Sequence, residues 1–501
     1  MIQGDFVVMS THLFNFLNDD FFRDMSKVTV KWGKEKYELV VDQNQPPLLL
    51  KQELQKLTGV DIERQKVMVK GKVLDNEDWK GVKLTAGSIL MMMGQVGPVI
   101  SVEKPPESET AMDTTNSDDP NSQIPPPTGL KNLGNTCYLN ATIQALKVIP
   151  EVNEALKTYN PNAPSESNNH STNKSFLISL KSLFVTLDEN RKEQRAVTPM
   201  IFLNLFHKLC PQMATTTSKG DLEQQDANEA WVEICKHVLP NLKLPKDGST
   251  PLSKLFSGSF QSTIKNLENP EEEVTTSSED FLQLSCFLAQ DVKYLQNGLK
   301  SRMIEEIDKM SLSLNRNCKY EKRTLISRLP AYVAIQFVRF FYKEKGQINA
   351  KILKDVKFPM SLDLYDLCTP ELKKKLEPMR AAFKAEDDAS AIRKKEESEN
   401  MKFEEVRYDF EDDIGSSNSG LYELKAVVTH KGRYANGGHY VGWVRIENKK
   451  NRKEDKWAMC DDDEVHFVTE EQVKKLSGGG DWHCAYVLLY GPRILKRPIK
   501  E

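Results

Sequence analysis

Residues Gly129 to Asn140 read Gly-Leu-Lys-Asn-Leu-Gly-Asn-Thr-Cys-Tyr-Leu-Asn, and they constrain this chain more than any other stretch. A loop rich in Gly and Asn delivers one cysteine, Cys137, to a run carrying Leu139, Ile143 and Leu146 at helical spacing. Asn135 and Thr136 stand where capping side chains are expected. The spacing therefore predicts an amphipathic helix that begins at or next to Cys137. A thiol at a helix N-terminus meets unpaired N–H groups and the positive end of the dipole, which favour its thiolate. The bland alternative is a buried structural cysteine.

A chain of 501 residues has room for two or three domains. Its eight cysteines, at 137, 210, 235, 286, 318, 368, 460 and 484, contain no CxxC pair, so no zinc or redox motif is expected from them. Scattered thiols in a long chain point to a reducing compartment, hence an expected cytoplasmic, and also nuclear, location. The net charge of −3 gives no reason to expect nucleic acid. No apolar run reaches the length of a membrane span.

Residues 1–25 lack the basic start of a signal peptide. They are read as a disordered extension without an assigned function. From Lys27 the pattern is regular. Val28, Val30 and Trp32, then Tyr37, Leu39 and Val41, alternate around the turn signal Gly33-Lys34, which predicts a β-hairpin. Leu50, Leu54 and Leu57 mark one face of a helix between Pro46-Pro47 and Gly59, and strands follow at 66–70 and 88–93. This ββαββ order predicts a small β-grasp domain over 26–95, which resembles a ubiquitin-like domain. It lacks a terminal Gly-Gly for conjugation, so a docking module is the better reading. Residues 96–127 form a flexible linker: 101–127 hold six acidic residues, one lysine and two proline runs.

Downstream, Gln224-Gln225-Asp226-Ala227-Asn228-Glu229 reads as a helix start with a capping box from Asp226 to Glu229. Leu282–Cys286 alternates as a strand, expected to form part of a sheet finger without metal, and Ala331–Phe341 alternates as another. Residues 371–420 are charge-dense and read as a solvated insertion, part helix and part disorder. Of eight histidines, His439 is set apart by Gly437-Gly438-His439-Tyr440-Val441, a tight loop entering a strand. His430 and His483 are its rivals. Asp461-Asp462-Asp463 supplies an acid to orient a base, although three carboxylates also suit a charged turn.

Residues 129–140, 224–231, 437–444 and 461–463 together resemble the cysteine, glutamine, histidine and acid boxes of the ubiquitin-specific proteases, papain-like deubiquitinating enzymes. The resemblance implies an α+β catalytic domain with fingers, palm and thumb over 128–493, followed by a basic tail at 494–501. It implies Cys137 as nucleophile, His439 as base, Asp461 as the orienting acid with Asp462 as a helper, and Asn132 as an oxyanion donor. It further implies Gln225, Asp226, Glu229 and Tyr440 as substrate-binding residues, the two acids against the arginine-bearing tail of ubiquitin. No metal or other cofactor is expected, since the zinc-ribbon cysteine pairs of many relatives are missing from 265–325.

The ubiquitin-like domain and the segment Arg339–Lys345 resemble family members that work at the proteasome. That implies a chain, monomeric when free, that docks on the regulatory particle and stays inhibited by loops near 340–346 and 433–438 until docked. The second loop holds no serine, so serine phosphorylation is not expected there. Two other readings stand beside this one: a non-catalytic ubiquitin-binding regulator of the proteasome, and a general papain-like protease.

Overall fold

The computed structural model describes residues 25–93 and 124–499 with interruptions, the longer ones at 163–170, 344–347, 394–402, 433–436 and 448–454. The N-terminal extension, most of the linker, and the turns at 33–34 and 70–71 therefore lie outside the described residues.

In the N-terminal unit, strands Met25–Trp32 and Glu35–Asp42 pair antiparallel, and Ser88–Met93 returns parallel to the first. Lys66–Val69 and the short Lys72–Val73 complete a five-stranded sheet against the helix Pro47–Thr58, a β-grasp. Alternation decides its core: Val28, Val30, Val67 and Leu90 point inward with Leu50 and Leu54 of the helix. Leu57 departs from expectation. It is half exposed, and Val60 just beyond the helix is buried in its place.

The larger unit has three parts. A helical thumb contains Cys137–Lys147, Pro150–Thr158, Ser171–Glu189, Met200–Leu209 and Ala227–Val238. A palm sheet runs, in spatial order, Glu464–Val468, Lys456–Asp461, His439–Ile446, Leu421–Lys431, Cys484–Pro492, Val333–Val338 and Gln283–Phe287, with Ser361–Asp363 pairing alongside Leu421–Lys431. A fingers sheet is formed by Thr275–Phe281, Gly258–Asn266, Arg316–Arg328 and Ile304–Ser311. The strand expected within the fingers, Leu282–Cys286, belongs elsewhere: Gln283–Phe287 pairs parallel with Val333–Val338 in the palm. Its inward Leu284 and Cys286 fill the palm core, which a two-sided fingers ribbon does not offer.

The fingers are fastened near their turns by one carboxylate. Glu272 accepts hydrogen bonds from Asn266 (2.8 Å) and from Ser311, Ser313 and Tyr320 (2.6 Å each). These donors hold its carboxyl at about 2. The charge-dense insertion opens as a 23-residue helix, Pro370–Ile392, which buries Leu372, Leu376 and Phe383. Within the basic tail, Lys496–Pro498 pairs with Phe403–Glu405 of that insertion. Arg339, the first residue of the segment Arg339–Lys345, is fully buried. Its guanidinium donates to the carbonyls of Ala485, Ile352, Lys354 and Ser477, so it is a structural pin.

Candidate active site

The helix starts at Cys137, but it is not amphipathic: every residue from Cys137 to Leu146 is buried. It is the central helix of the unit, enclosed by the thumb helices and by strand His439–Ile446. Gly442 permits that approach, because a Cβ there would stand 3.3 Å from the Ala141 carbonyl. A helix buried all round must satisfy its polar side chains internally. Gln144 donates to Thr128 O at 2.8 Å, Thr142 to Tyr138 O at 2.7 Å, and Asn140 to Asp462 Oδ1 at 2.8 Å.

The capping side chains also differ from expectation. Thr136 is the N-cap residue but makes no capping bond. Its hydroxyl instead accepts from Leu133 N and donates to Asn132 Oδ1. Asn135 sits at φ +53° and donates to Leu222 O. The Thr136 side chain does not cap the helix start beside Cys137, because the loop uses it to hold its own shape.

Strand His439–Ile446 brings the base. His439 Nε2 lies 2.5 Å from Asp461 Oδ1. The Asp461 bond is the main cause raising the imidazole to about 10; contact with the Cys137 sulfur adds to it, and burial opposes. The ring therefore carries its proton at neutral pH, beside the Cys137 sulfur. Burial pushes the Asp461 carboxyl up, yet the bond and charge of His439 bring it below its ordinary value. The rivals are differently placed. Burial drives His430 down to about 3, and neither of its ring nitrogens has a partner among the described residues. Burial likewise holds His483 at about 4, with Nδ1 against Thr429 Oγ1.

Asp462, at φ +53°, closes the turn after Asp461. Its Oδ2 accepts from Asn132 Nδ2 at 2.8 Å, and its backbone carbonyl accepts from Leu130 N at 2.8 Å. Asn132 is gripped from its other side, where Oδ1 accepts from Gly134 N and Thr136 N. Its amide is thus fixed at the loop that presents Cys137. The atoms of His439, Asp461 and Asp462 lie close enough to share a cation, but the short Nε2–Oδ1 separation is that of a proton held between ring and carboxylate.

Two groups that approach the sulfur escaped the sequence reading in that role. Gln224 Nε2 donates to Cys137 Sγ at 3.3 Å, and the backbone N–H of Tyr440 does so at 3.4 Å. Gln225, the neighbour expected to bind substrate, donates instead to Thr215 Oγ1 and Glu223 O. Only the path of the chain into the next helix could tell the two apart.

Asp226 caps that helix, accepting from Asn228 N and Glu229 N, and its Oδ2 accepts from Tyr486 OH at 2.6 Å. The reciprocal half of the expected box, Glu229 back to Asp226 N, is not among its bonds. Burial raises both carboxyls, and for Glu229 the charge of Asp226 raises it further. Neither forms an ion pair among the described residues, so together they offer an incoming cation a favourable seat. Tyr440, Tyr486, His430 and Phe340 form a connected aromatic cluster alongside.

Residues 128–490 match the family described as UCH, ubiquitin carboxyl-terminal hydrolase, and 28–96 match the ubiquitin family. The chain belongs to the ubiquitin carboxyl-terminal hydrolases. Its larger unit is a cysteine-type deubiquitinating enzyme, joined to an N-terminal ubiquitin-like domain. It is 40% identical to ubiquitin carboxyl-terminal hydrolase 14 of Caenorhabditis elegans over 94% of each chain. It is 36% identical to hydrolase 7 of Arabidopsis thaliana, over 94% of this chain and all of that one. It is 34% identical to hydrolase 6 of Schizosaccharomyces pombe, over 93% and 98%. In fold it is similar to a chain of the SAGA DUB module containing Ubp8, bound to monoubiquitin. That likeness has a TM-score of 0.50 and 21% identity, over 73% of this chain and 69% of the other.

Proposed function

We propose that this hydrolase trims ubiquitin from conjugates at the proteasome, docks on the regulatory particle through its ubiquitin-like domain, and is held at low activity until docked. One observation carries the docking. Val73, Met68 and Met91 face one another across three strands, flanked by Ile89 and Met93. Four of the five, all but Met68, are between 47% and 53% exposed. A small domain that shows so many large apolar side chains on one sheet face has a surface suited to a protein partner. A site of action in the cytosol and nucleus suits eight unpaired cysteines.

For the restraint, Lys351 supplies the support. It is buried, and its Nζ donates to His430 O at 2.6 Å and Gly432 O at 3.0 Å. It thereby ties the hairpin of Phe340–Lys343 and Ile348–Lys351 to the base of the segment that precedes His439. Residues 344–346 and 433–436 of the expected blocking segments lie outside the described residues.

In the chemistry read from this geometry, the Cys137 thiolate attacks the carbonyl carbon of the last glycine of ubiquitin. Asn132 and the N–H groups at the helix start receive the negative charge that develops on oxygen. His439 gives its proton to the departing lysine amine. It then takes one from water, which releases ubiquitin and restores the thiolate. Asp461 holds the ring and supports its charge throughout.

Purified proteasomes, the full chain and a fluorogenic ubiquitin C-terminal amide test the proposal. Proteasomes are expected to co-sediment the chain and raise its turnover by about tenfold or more. Met91→Glu is expected to lose both effects while keeping basal turnover. Unchanged turnover, or equal binding of the Met91→Glu variant, would overturn it.

A further inference from the structure

Away from the catalytic centre, the thumb holds a second group of ligand-type side chains. Cys210 follows the helix Met200–Leu209, and Glu233 and His237 lie one turn apart on Ala227–Val238. Cys210 Sγ and His237 Nε2 each stand 3.7 Å from Glu233 Oε2, and all three atoms lie within 4.8 Å of one another. In tetrahedral zinc sites, bonds of about 2.3 Å to sulfur and about 2.0–2.2 Å to nitrogen and oxygen separate neighbouring ligand atoms by about 3.3–3.6 Å. The two 3.7 Å separations are already close to that. We propose that Cys210, Glu233 and His237 bind a zinc-class divalent cation, with a fourth position open to solvent.

The surroundings suit this reading. Cys210 is buried, whereas Glu233 and His237 keep 13% and 25% of their side chains exposed, so an ion has a way in. Lys236 occupies the other oxygen of Glu233, Oε1, at 2.7 Å and leaves Oε2 turned toward the sulfur. Sulfur binds the metal as thiolate, so binding releases the thiol proton to solvent as the sulfur–metal bond forms. Thiolate with imidazole and a single carboxylate favours zinc over magnesium or calcium, which take mainly oxygen. The ion would clip two thumb helices together, and its stabilisation of the fold would grow with metal concentration. The site is independent of the triad: it shares no residue with Cys137, His439 or Asp461.

The test uses the full chain with Cys137→Ala, so that the catalytic thiol cannot compete, titrated with Co²⁺ as the spectroscopic stand-in for zinc. One equivalent is expected to produce a thiolate-to-metal charge-transfer band and tetrahedral d–d bands, and Zn²⁺ is expected to displace it. Adding Cys210→Ala should remove the charge-transfer band. Adding His237→Gln, a change on a partly exposed ring that leaves the core intact, should weaken binding by about tenfold or more. Absence of the band in the Cys137→Ala chain, or its persistence with Cys210→Ala, overturns the site. So does Co²⁺ affinity unchanged by His237→Gln.

Discussion

Asn132 donates its side-chain amide to Asp462 at 2.8 Å, across 330 residues of sequence. This bond joins the loop that presents the nucleophile to the turn that carries the orienting acid. Because Asp462 also accepts from Asn140 on the central helix, its two oxygens hold two separate parts of the cysteine segment.

Asp462→Ala should therefore act on the nucleophile loop rather than on His439. We expect kcat to approach the roughly hundredfold loss typical of removing an oxyanion donor, with KM little changed. Asn132→Ala should cost a similar amount, and the double variant scarcely more than either single one. Steady-state kinetics on the four proteins of that cycle decide the matter, and strictly additive losses would separate the two residues.

The hydrogen bond between Asp461 and His439 sets a pH dependence. The folded ring, raised to about 10, holds its proton more tightly than an unfolded histidine near 6.5. The stability this contributes is fully present below pH 6.5 and is lost as pH rises toward 10. Asp461→Asn removes the largest cause of the rise. Its ring should titrate closer to neutral, and the alkaline limb of its kcat/KM profile should move to lower pH. The rate should fall by about 10³–10⁴, as expected when a base loses its orienting carboxylate. A profile that keeps the parent's alkaline limb would count against Asp461 in this role.

Glu229 offers a contrast between binding and stability. A carboxyl raised by burial and by Asp226 makes the folded state bind protons more tightly than the unfolded one. Stability from this group therefore falls as pH rises from its unfolded value through its folded value. Glu229→Gln should leave the thermal midpoint at pH 7 unchanged or slightly higher, yet raise KM for ubiquitin substrates with kcat preserved. Asp226→Ala should cost about 1–2 kcal/mol, since a buried helix cap and the Tyr486 contact go with it. Calorimetry and kinetics on both variants separate the two carboxylates.

How much of this was legible beforehand depended on distance in sequence. Local patterns reached the β-grasp strands, the helix starting at Cys137 and the cap at Asp226, because alternation, spacing and capping act over a few residues. The pairing of His439 with Asp461 was accessible through resemblance, since each sits in a short distinctive context. What stayed hidden was long-range. The helix looked amphipathic because two of its polar residues, Asn140 and Gln144, find partners only after the chain has folded over them. Gln224 and Gln225 are chemically identical, and only the approach to the next helix decides which meets Cys137. Gln283–Phe287 alternates as any strand does, and nothing local assigns it to the palm rather than the fingers.

Gly437 and Gly438 precede His439 together, but the structure asks different things of them. Gly438 is at φ +131°, and a Cβ there would meet Lys431 O and stand 2.6 Å from His430 Nε2. His430 is fully buried and in edge contact with Phe340 and Tyr440, so it has no room to yield. A Cβ on Gly437 would meet nothing within 4 Å. Gly438→Ala must then shift the strand entry that carries His439, and a displacement of about 1 Å from the sulfur is enough to cost about a hundredfold in kcat. Gly437→Ala should remain close to the parent. Both variants should keep the parent's far-ultraviolet dichroism, which distinguishes a misplaced base from a lost fold. Equal activity of the two alanine variants would mean that the loop, not the strand, absorbs the added methyl group.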